Sequence, residues 1–177
     1  MQAEIVKLTK SLEERILRIG TEYSNLIFLC VGTNGVVGDS IGPMIGSKIK
    51  QFENDYLKVY GTMDDTLNFS NAKNIIEKVY EFYSKPYLVT IDAALSNRTR
   101  FGDIIVGSGF IKIGKALEKS ICFYSDVTIK CVVGKCYIDK EKNLQELKRL
   151  SASKSNKIAN DVSTSIKNVL EKTKIYA

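Results

Sequence analysis

Two unbroken apolar runs constrain the fold of this chain more than any other feature. The first, LIFLCV, covers residues 26–31, and the second, YLVTI, covers residues 87–91. Neither run alternates polar with apolar residues, so each predicts a strand that is covered on both faces, as the central strands of a parallel sheet are. Helical periodicity between and after the two runs supplies the covering layers. The chain therefore predicts an α/β fold in which right-handed crossovers connect the strands.

The rest of the chain extends this alternation within a single domain, residues 1–177, whose length is sufficient for one packed core. We predict a three-layer α/β/α architecture around a mostly parallel sheet. The segments 103–109 and 126–138 are expected to be edge or antiparallel strands, because the second alternates as if one face met water. The other predicted elements are a helix from Ile5 to Ile19 that stops at Gly20, a helix with Pro43 in its first turn, a strand at 58–61, a helix capped by Ser70, a short helix from Leu144 to Leu150 and a longer helix that begins near Ser153 or Ser155.

The absence of histidine excludes several catalytic classes. The sequence has none, so Ser-His-Asp triads, Cys-His dyads and histidine metal sites are all unavailable. Proton transfer falls to carboxylates, Lys or Tyr. The four cysteines lack CxxC spacing, and Cys30 lies inside an apolar run, so we expect neither a zinc site nor a disulfide. No metal and no other cofactor is expected.

The charge pattern argues against two classes of partner. The net charge of +6 suits an acidic partner, but the Lys and Arg residues are dispersed along the sequence, so solvated helix faces explain them better than a nucleic-acid site does. No apolar stretch reaches the roughly 20 residues of a membrane span, and the N-terminal segment interleaves charges where a signal peptide needs an apolar region. We expect a cytoplasmic protein without a membrane partner, and leave assembly into a homo-oligomer open.

The Gly-rich segment GTNGVVGDSIGP, residues 32–43, is the leading candidate for a site. It follows the first apolar run, and ligands of open α/β sheets bind beyond the carboxyl ends of the strands. Asp39 within it is interpreted either as the N-cap of the next helix or as a catalytic carboxylate, and taken alone the N-cap is favoured. Nucleotide binding is disfavoured, because the spacing fits neither GxGxxG nor a P-loop and a carboxylate repels phosphate.

Asp92 is the second candidate, because it directly follows the second apolar run. Alone it is an ordinary turn residue. Together, Asp39 and Asp92 at one edge of a sheet can divide the roles of base and acid around a water molecule, which is hydrolase chemistry that needs no histidine. Asp64 and Asp65 can reach the same edge as a third acid or a metal ligand, although a solvated turn explains them more simply.

The arginines of the loop after Asp92 have two interpretations. Arg98 and Arg100 can bind a substrate carboxylate, or pair with Asp92 or Asp103, although exposed arginines are common in loops.

The segments GTNGVVGDSIGP, GTMDDTLNFSN and LVTIDAALS, in that order and spacing, resemble the YyaC-type sporulation proteins of spore-forming Firmicutes over roughly residues 26–110. That family is similar to the germination protease, which degrades small acid-soluble spore proteins, and more distantly to the hydrogenase maturation endopeptidases. The resemblance implies the phosphorylase/hydrolase-like three-layer fold that these proteins share. Nickel-dependent maturation activity is not expected, because the histidine ligand of those enzymes has no counterpart here.

The resemblance also implies site residues. Asp39 and Asp92 match the two essential aspartates of the germination protease. The chain departs from the proteases at Thr33, where they favour Gly, and at Gly38, where the germination protease tends to have Pro. We expect substrate contacts from the surrounding loops, at Gly32, Asn34, Gly38, Ser40 and Asp64.

The expected function is that of a sporulation-associated, aspartate-dependent peptidase of the forespore or spore core, acting on peptides or small acid-soluble spore proteins. One alternative is a non-catalytic spore protein that binds a peptide or partner with the same acidic pocket. Another is a small-ligand or nucleotide binder that uses the Gly-rich loop.

Overall fold

The computed structural model describes residues 2–16, 23–114 and 120–173. The strands are β1 (Asn25–Cys30), β2 (Leu57–Tyr60), β3 (Pro86–Leu95), β4 (Ile104–Ile113) and β5 (Ile121–Gly134). The helices are α1 (Gln2–Ile16), α2 (Ile41–Ile49), α3 (Ala72–Phe82), α4 (Lys140–Arg149) and α5 (Ala152–Thr173), with a 3₁₀ turn at Lys50–Phe52. None of the helices in these ranges combines the length and apolarity that crossing a membrane requires.

The strands form one sheet in the order β2-β1-β3-β5-β4. All neighbours are parallel except β4, which pairs antiparallel with β5 at the edge of the sheet. α1, α2 and α5 cover one face, and α3 covers the other. The predicted three-layer, mostly parallel α/β/α fold is therefore confirmed.

The run 26–31 is unbroken because β1 has a core on both sides. Leu26, Phe28 and Cys30 belong to the cluster under α1, α2 and α5, whereas Ile27 and Leu29 belong to the cluster under α3. Each is almost completely buried, and burying one such aliphatic or aromatic side chain contributes about 1.5–3 kcal/mol. This two-sided core fixes the centre of the sheet and thereby the edge at which the strand-to-helix loops lie.

The placement of β5 corrects one prediction. The segment 126–138 was expected to be an edge or antiparallel strand; β5 is antiparallel to β4, but it lies inside the sheet and is parallel to β3. The alternation of this segment suggested a wet face, yet its Thr128 is buried, and an added Cβ on Gly107 of β4 would lie 3.3 Å from the Thr128 hydroxyl oxygen. The other expected edge strand, residues 103–109, is confirmed as the antiparallel edge strand β4.

Several element boundaries also differ from expectation. β3 continues through Asp92 to Leu95, so that acid lies within a strand instead of after it. The N-cap of α3 is Asn71, because Ser70 directs its own N–H and hydroxyl to Asn68. α5 begins at Ala152, ahead of the predicted start. The expected stop of the first helix at Gly20 falls outside the described residues.

Candidate functional site

Asp39 closes the loop between β1 and α2 with its own carboxylate. Its Oδ2 accepts the backbone N–H of Thr33 at 2.9 Å, and its N–H donates to the carbonyl of Val36 at 2.9 Å. The N-cap residue of α2 is Ser40, so the interpretation of Asp39 as a helix cap is wrong. Thr33 provides the one hydrogen bond to this carboxylate from the residues that the structure describes. The carboxylate therefore points back to the carboxyl end of β1, with Oδ1 available.

Gly32 permits this fold-back. Its φ of +148° lies in a region that favours glycine, and an added Cβ would lie 1.9 Å from the Asp39 carbonyl oxygen and 2.9 Å from Cδ of Pro43. Its N–H donates to the carbonyl of Leu67 at 2.9 Å. The segment between β2 and α3 is thus tied to the same loop.

Asp92 lies beside the end of β1. The N–H of Val31 donates to the carbonyl of Ile91 at 2.8 Å, which places Asp92 next to the point where β1 gives way to the Gly-rich loop. On its other side Asp92 is in register with Lys130 of β5. Its side chain is half-buried. Asp39 therefore lies in the loop after β1, and Asp92 lies within the neighbouring parallel strand β3 level with the end of β1, near the edge at which ligands of such sheets bind.

The two acids approach that edge from different sides. Asp92 lies on the same face of β3 as Leu88, which packs in the cluster under α3, whereas Asp39 precedes α2, whose apolar face packs in the opposite cluster. Asp92 and the loop that carries Asp39 are therefore tied to opposite faces of the sheet beside the end of β1.

A pair of thiols lies in the core below this edge. Cys30 and Cys131 are completely buried and free. Burial raises the pKa of the Cys131 thiol, and the negative charge of Asp92 raises it further. Burial also raises the pKa of Cys30, with a smaller contribution from Cys131. Both thiols are thereby kept protonated, which makes them inert as nucleophiles.

The predicted substrate contacts fall into two groups. Asn34 and Asp64 are exposed, and Nδ2 of Asn34 donates to the carbonyl of Met63 at 3.3 Å, so two neighbouring loops meet above β1 and β2. Gly38 is buried, and its N–H donates to the Leu147 carbonyl at 2.9 Å. Ser40 is 5% exposed, with its hydroxyl donating to the carbonyl of Val37 at 2.8 Å. These internal contacts favour structural roles for Gly38 and Ser40. Substrate contact at these four positions and at Gly32 stays a prediction.

Two contributors to the site had no signal in the sequence. The N–H of Thr33 orients Asp39, but a backbone donor is invisible in a side-chain pattern. Leu147 of α4 supports the loop through its carbonyl, from a position more than a hundred residues away. Across the described ranges, no group of three or more His, Cys, Asp or Glu side chains is arranged to hold a metal ion.

The three-layer fold of this chain has a counterpart among solved protease structures. It is similar to the solved structure of the [NiFe] hydrogenase maturation protease HycI from Thermococcus kodakarensis KOD1, with a TM-score of 0.58 and 14% identity over 91% of this chain and 99% of HycI. At that level of identity the likeness concerns the fold alone.

Sequence comparison gives the family. Residues 2–165 match the model described as "Protein of unknown function (DUF1256)", and the chain belongs to that family. It is also 31% identical over 108 residues to the "Uncharacterized protein YyaC" of Bacillus subtilis (strain 168), an alignment that covers 61% of this chain and 53% of YyaC. The aligned stretch thus spans about half the length of that relative. The expected similarity to a YyaC-type protein is confirmed, and the expected likeness to the hydrogenase maturation proteases is confirmed at the level of the fold.

Proposed function

We propose that this protein is an aspartate-dependent peptidase that uses Asp39 and Asp92. The observation that carries the proposal is the 2.9 Å bond from the Thr33 N–H to Oδ2 of Asp39. It turns the carboxylate away from α2 and toward the sheet edge where the neighbouring strand carries Asp92. The shared fold with a hydrogenase maturation protease supports the choice of reaction.

The chemistry divides between the two acids. Asp39 is suited to be the base, because one oxygen is held by the backbone and the other is left to accept a proton from water. The resulting hydroxide oxygen attacks the peptide carbonyl carbon to form a tetrahedral intermediate. In this scheme Asp92 first takes up a proton from solvent and then gives it to the amide nitrogen as the C–N bond breaks. The Lys130 neighbour of Asp92 is exposed on β5 and is not required for this step.

The proposed setting is sporulation. The resemblance of the three loop motifs to YyaC-type sporulation proteins supports a role in the forespore or spore core, with small acid-soluble spore proteins or their peptides as substrates. The 31% identity to YyaC supports the relationship without assigning an activity, since that relative is described as uncharacterized.

Cleavage of purified small acid-soluble spore protein, followed by mass spectrometry, tests the proposal. Asp39→Asn and Asp92→Asn are each expected to reduce the rate by a factor of at least about 100, as loss of a general acid or base does. Asp55→Asn is the matched control, because that exposed residue precedes β2 at the opposite edge of the sheet. Undiminished cleavage by either active-site variant would reject the assignment.

A non-catalytic peptide binder is the second candidate. It is favoured by the placement of Asp92 within β3, in register with Lys130 of β5, where a strand residue has less freedom than a loop residue. It predicts affinity for the same peptides with no hydrolysis by the wild-type protein. Calorimetric titration of peptide into wild type, combined with the mass-spectrometric assay, separates the two functions.

A further inference from the structure

A strongly cationic depression lies at the same edge of the sheet. Its volume is about 660 Å³. It is bounded by the loop after β3, the end of β5, the end of α4 and the start of α5. The lining residues that matter here are Thr99, Arg100, Phe101, Lys135, Arg149 and Lys154. We call this depression the basic pocket.

The charges in the basic pocket are not balanced. The one acidic residue in its lining is Glu146, which lies 3.6 Å from the Arg149 guanidinium. Arg100, Lys135 and Lys154 form no ion pair with any residue that the structure describes. Three uncompensated cations in one concave surface attract an anionic group.

Two further features of the pocket favour a specific anion. Nζ of Lys154 lies 5.1 Å from the ring centroid of Phe101, a cation–π contact that restricts the ammonium group. The buried Oγ1 of Thr99 has no hydrogen-bond partner in the described part of the chain. An unpaired buried hydroxyl is costly, and a bound oxygen anion would accept its hydrogen. The pocket thus combines charge with an unsatisfied donor.

The basic pocket is connected to the acids along the backbone. Ser96, which lines it, follows β3 and donates its N–H to the carbonyl of Gly134 at 2.9 Å. Ser96 lies four positions after Asp92, a span of roughly 13 Å at 3.3 Å per strand residue. α4 makes a second connection, because Leu147 contacts the Asp39 loop and Arg149 lines the pocket.

We propose that the basic pocket binds a peptide carboxylate, from an acidic side group or from the carboxyl terminus of the peptide, three to four residues away from the bond held at Asp39 and Asp92. This inference rests on the proposed function for its register, but the carboxylate site itself does not depend on turnover. A peptide extended across the carboxyl ends of β1, β3 and β5 contacts the acids and the cations together.

The test measures peptide binding by NMR titration at low salt. The probes are acetyl-Ala-Ala-Glu-Ala-Ala-amide, its glutamine analogue, and acetyl-pentaalanine with either a free or an amidated carboxyl terminus. The two carboxylate sources are thereby compared separately. We expect at least one carboxylate peptide to bind, and the double variant Arg100→Gln/Lys154→Gln to weaken its affinity about tenfold or more, as loss of charge-assisted hydrogen bonds does.

The control is Lys78→Gln/Lys167→Gln, which removes the same charge from exposed helix positions on α3 and α5. It should leave affinity within about twofold at matched ionic strength. Any of three results would overturn the proposal. The first is that the glutamate peptide binds no better than the glutamine peptide and the free carboxyl terminus binds no better than the amidated one. The second is an equal loss of affinity in both double variants, and the third is binding of inorganic phosphate without binding of either carboxylate peptide.

Repeating the titration with Asp39→Asn separates this inference from the peptidase. If the carboxylate peptides still bind but the wild type cleaves no peptide, the peptidase function is rejected and the carboxylate site in the basic pocket stands. If the wild type cleaves peptides normally but shows no preference for a carboxylate, the carboxylate site is rejected and the peptidase function stands.

Discussion

The N–H of Gly38 donates a 2.9 Å hydrogen bond to the carbonyl of Leu147. This bond joins the loop that carries Asp39 to α4, a helix near the other end of the sequence. The side chain of Leu147 packs against the core cluster under α1, α2 and α5. The position of Asp39 therefore depends on the packing of a distant helix as well as on its own turn.

Gly38→Ala tests this dependence. An added Cβ would lie 2.6 Å from the Leu147 carbonyl oxygen and 2.9 Å from its Cα, so backbone has to move. We expect the free energy of unfolding to fall by about 1–3 kcal/mol, as overpacking typically costs, and peptide cleavage to fall with it. Urea denaturation measures the loss. Gly35→Ala, in the same loop but with nothing within 4 Å of the added carbon, should match wild type.

The pair Asp39→Asn and Asp39→Ala separates chemistry from structure. Asparagine can still accept the Thr33 N–H through its amide oxygen, so its stability should stay within about 0.5 kcal/mol of wild type, as for a substitution that keeps a bond. Alanine leaves that N–H unpaired in a half-buried loop, at a cost of about 1 kcal/mol. Both should lack cleavage activity. A stable, active Asp39→Asn protein would show that the carboxylate only supports the loop.

The sequence was sufficient for the architecture because the architecture depends on patterns of burial. The runs 26–31 and 87–91 are strands with cores on both faces, which is why neither run contains a charged residue. The edge position of β4 was also predictable. The interior position of β5 was not, because Thr128 is polar in the sequence but buried in the fold.

The candidate site was only partly predictable. Asp39 and Asp92 were placed at one edge from strand order alone, and the structure places Asp39 in the loop after β1 and Asp92 within the neighbouring strand β3. Their approach from opposite faces depends on the extension of β3 to Leu95, which the polar loop sequence concealed. The basic pocket assembles Arg100, Lys135 and Lys154 from three separate segments, so no local motif could reveal it.

Ser125→Ala tests a buried polar contact that holds β3 against β5. The Thr90 hydroxyl donates to Oγ of Ser125 at 2.8 Å, and that serine hydroxyl lies 2.7 Å from the Val127 carbonyl. Both side chains are completely buried, so the variant leaves the Thr90 hydroxyl without this partner. We expect a loss of about 1–3 kcal/mol, measured by thermal or urea unfolding. Ser153→Ala, on the exposed start of α5, should change stability by less than about 0.5 kcal/mol.

Thiol labelling checks the burial of Cys30 and Cys131. Cys122 and Cys136 are exposed, whereas Cys30 and Cys131 are buried with raised pKa values. At pH 8 a thiol reagent should therefore modify two cysteines rapidly in the native protein and all four in urea. The variant Cys122→Ser/Cys136→Ser should show no rapid native labelling. Fast reaction of that variant would mean that the sheet edge opens.

The same two thiols predict a loss of stability at alkaline pH. Their pKa values in the native state lie above the ordinary 9.0, so above about pH 9 the unfolded protein releases protons that the native state retains. The free energy of unfolding therefore keeps its full value below about pH 9. Above that pH it falls as the pH rises, by at most about 1.4 kcal/mol per pH unit for each thiol. Urea unfolding between pH 7 and pH 10.5 measures the slope. Cys30→Ala/Cys131→Ala should flatten this slope even if the stability of that variant at pH 7 is lower, whereas Cys122→Ala should leave the slope unchanged.

Tyr60 adds a similar decline in every variant, because burial raises its pKa from the ordinary 10.0 to about 12. The difference between the slopes of the wild type and the thiol variant is therefore the quantity that isolates the two thiols.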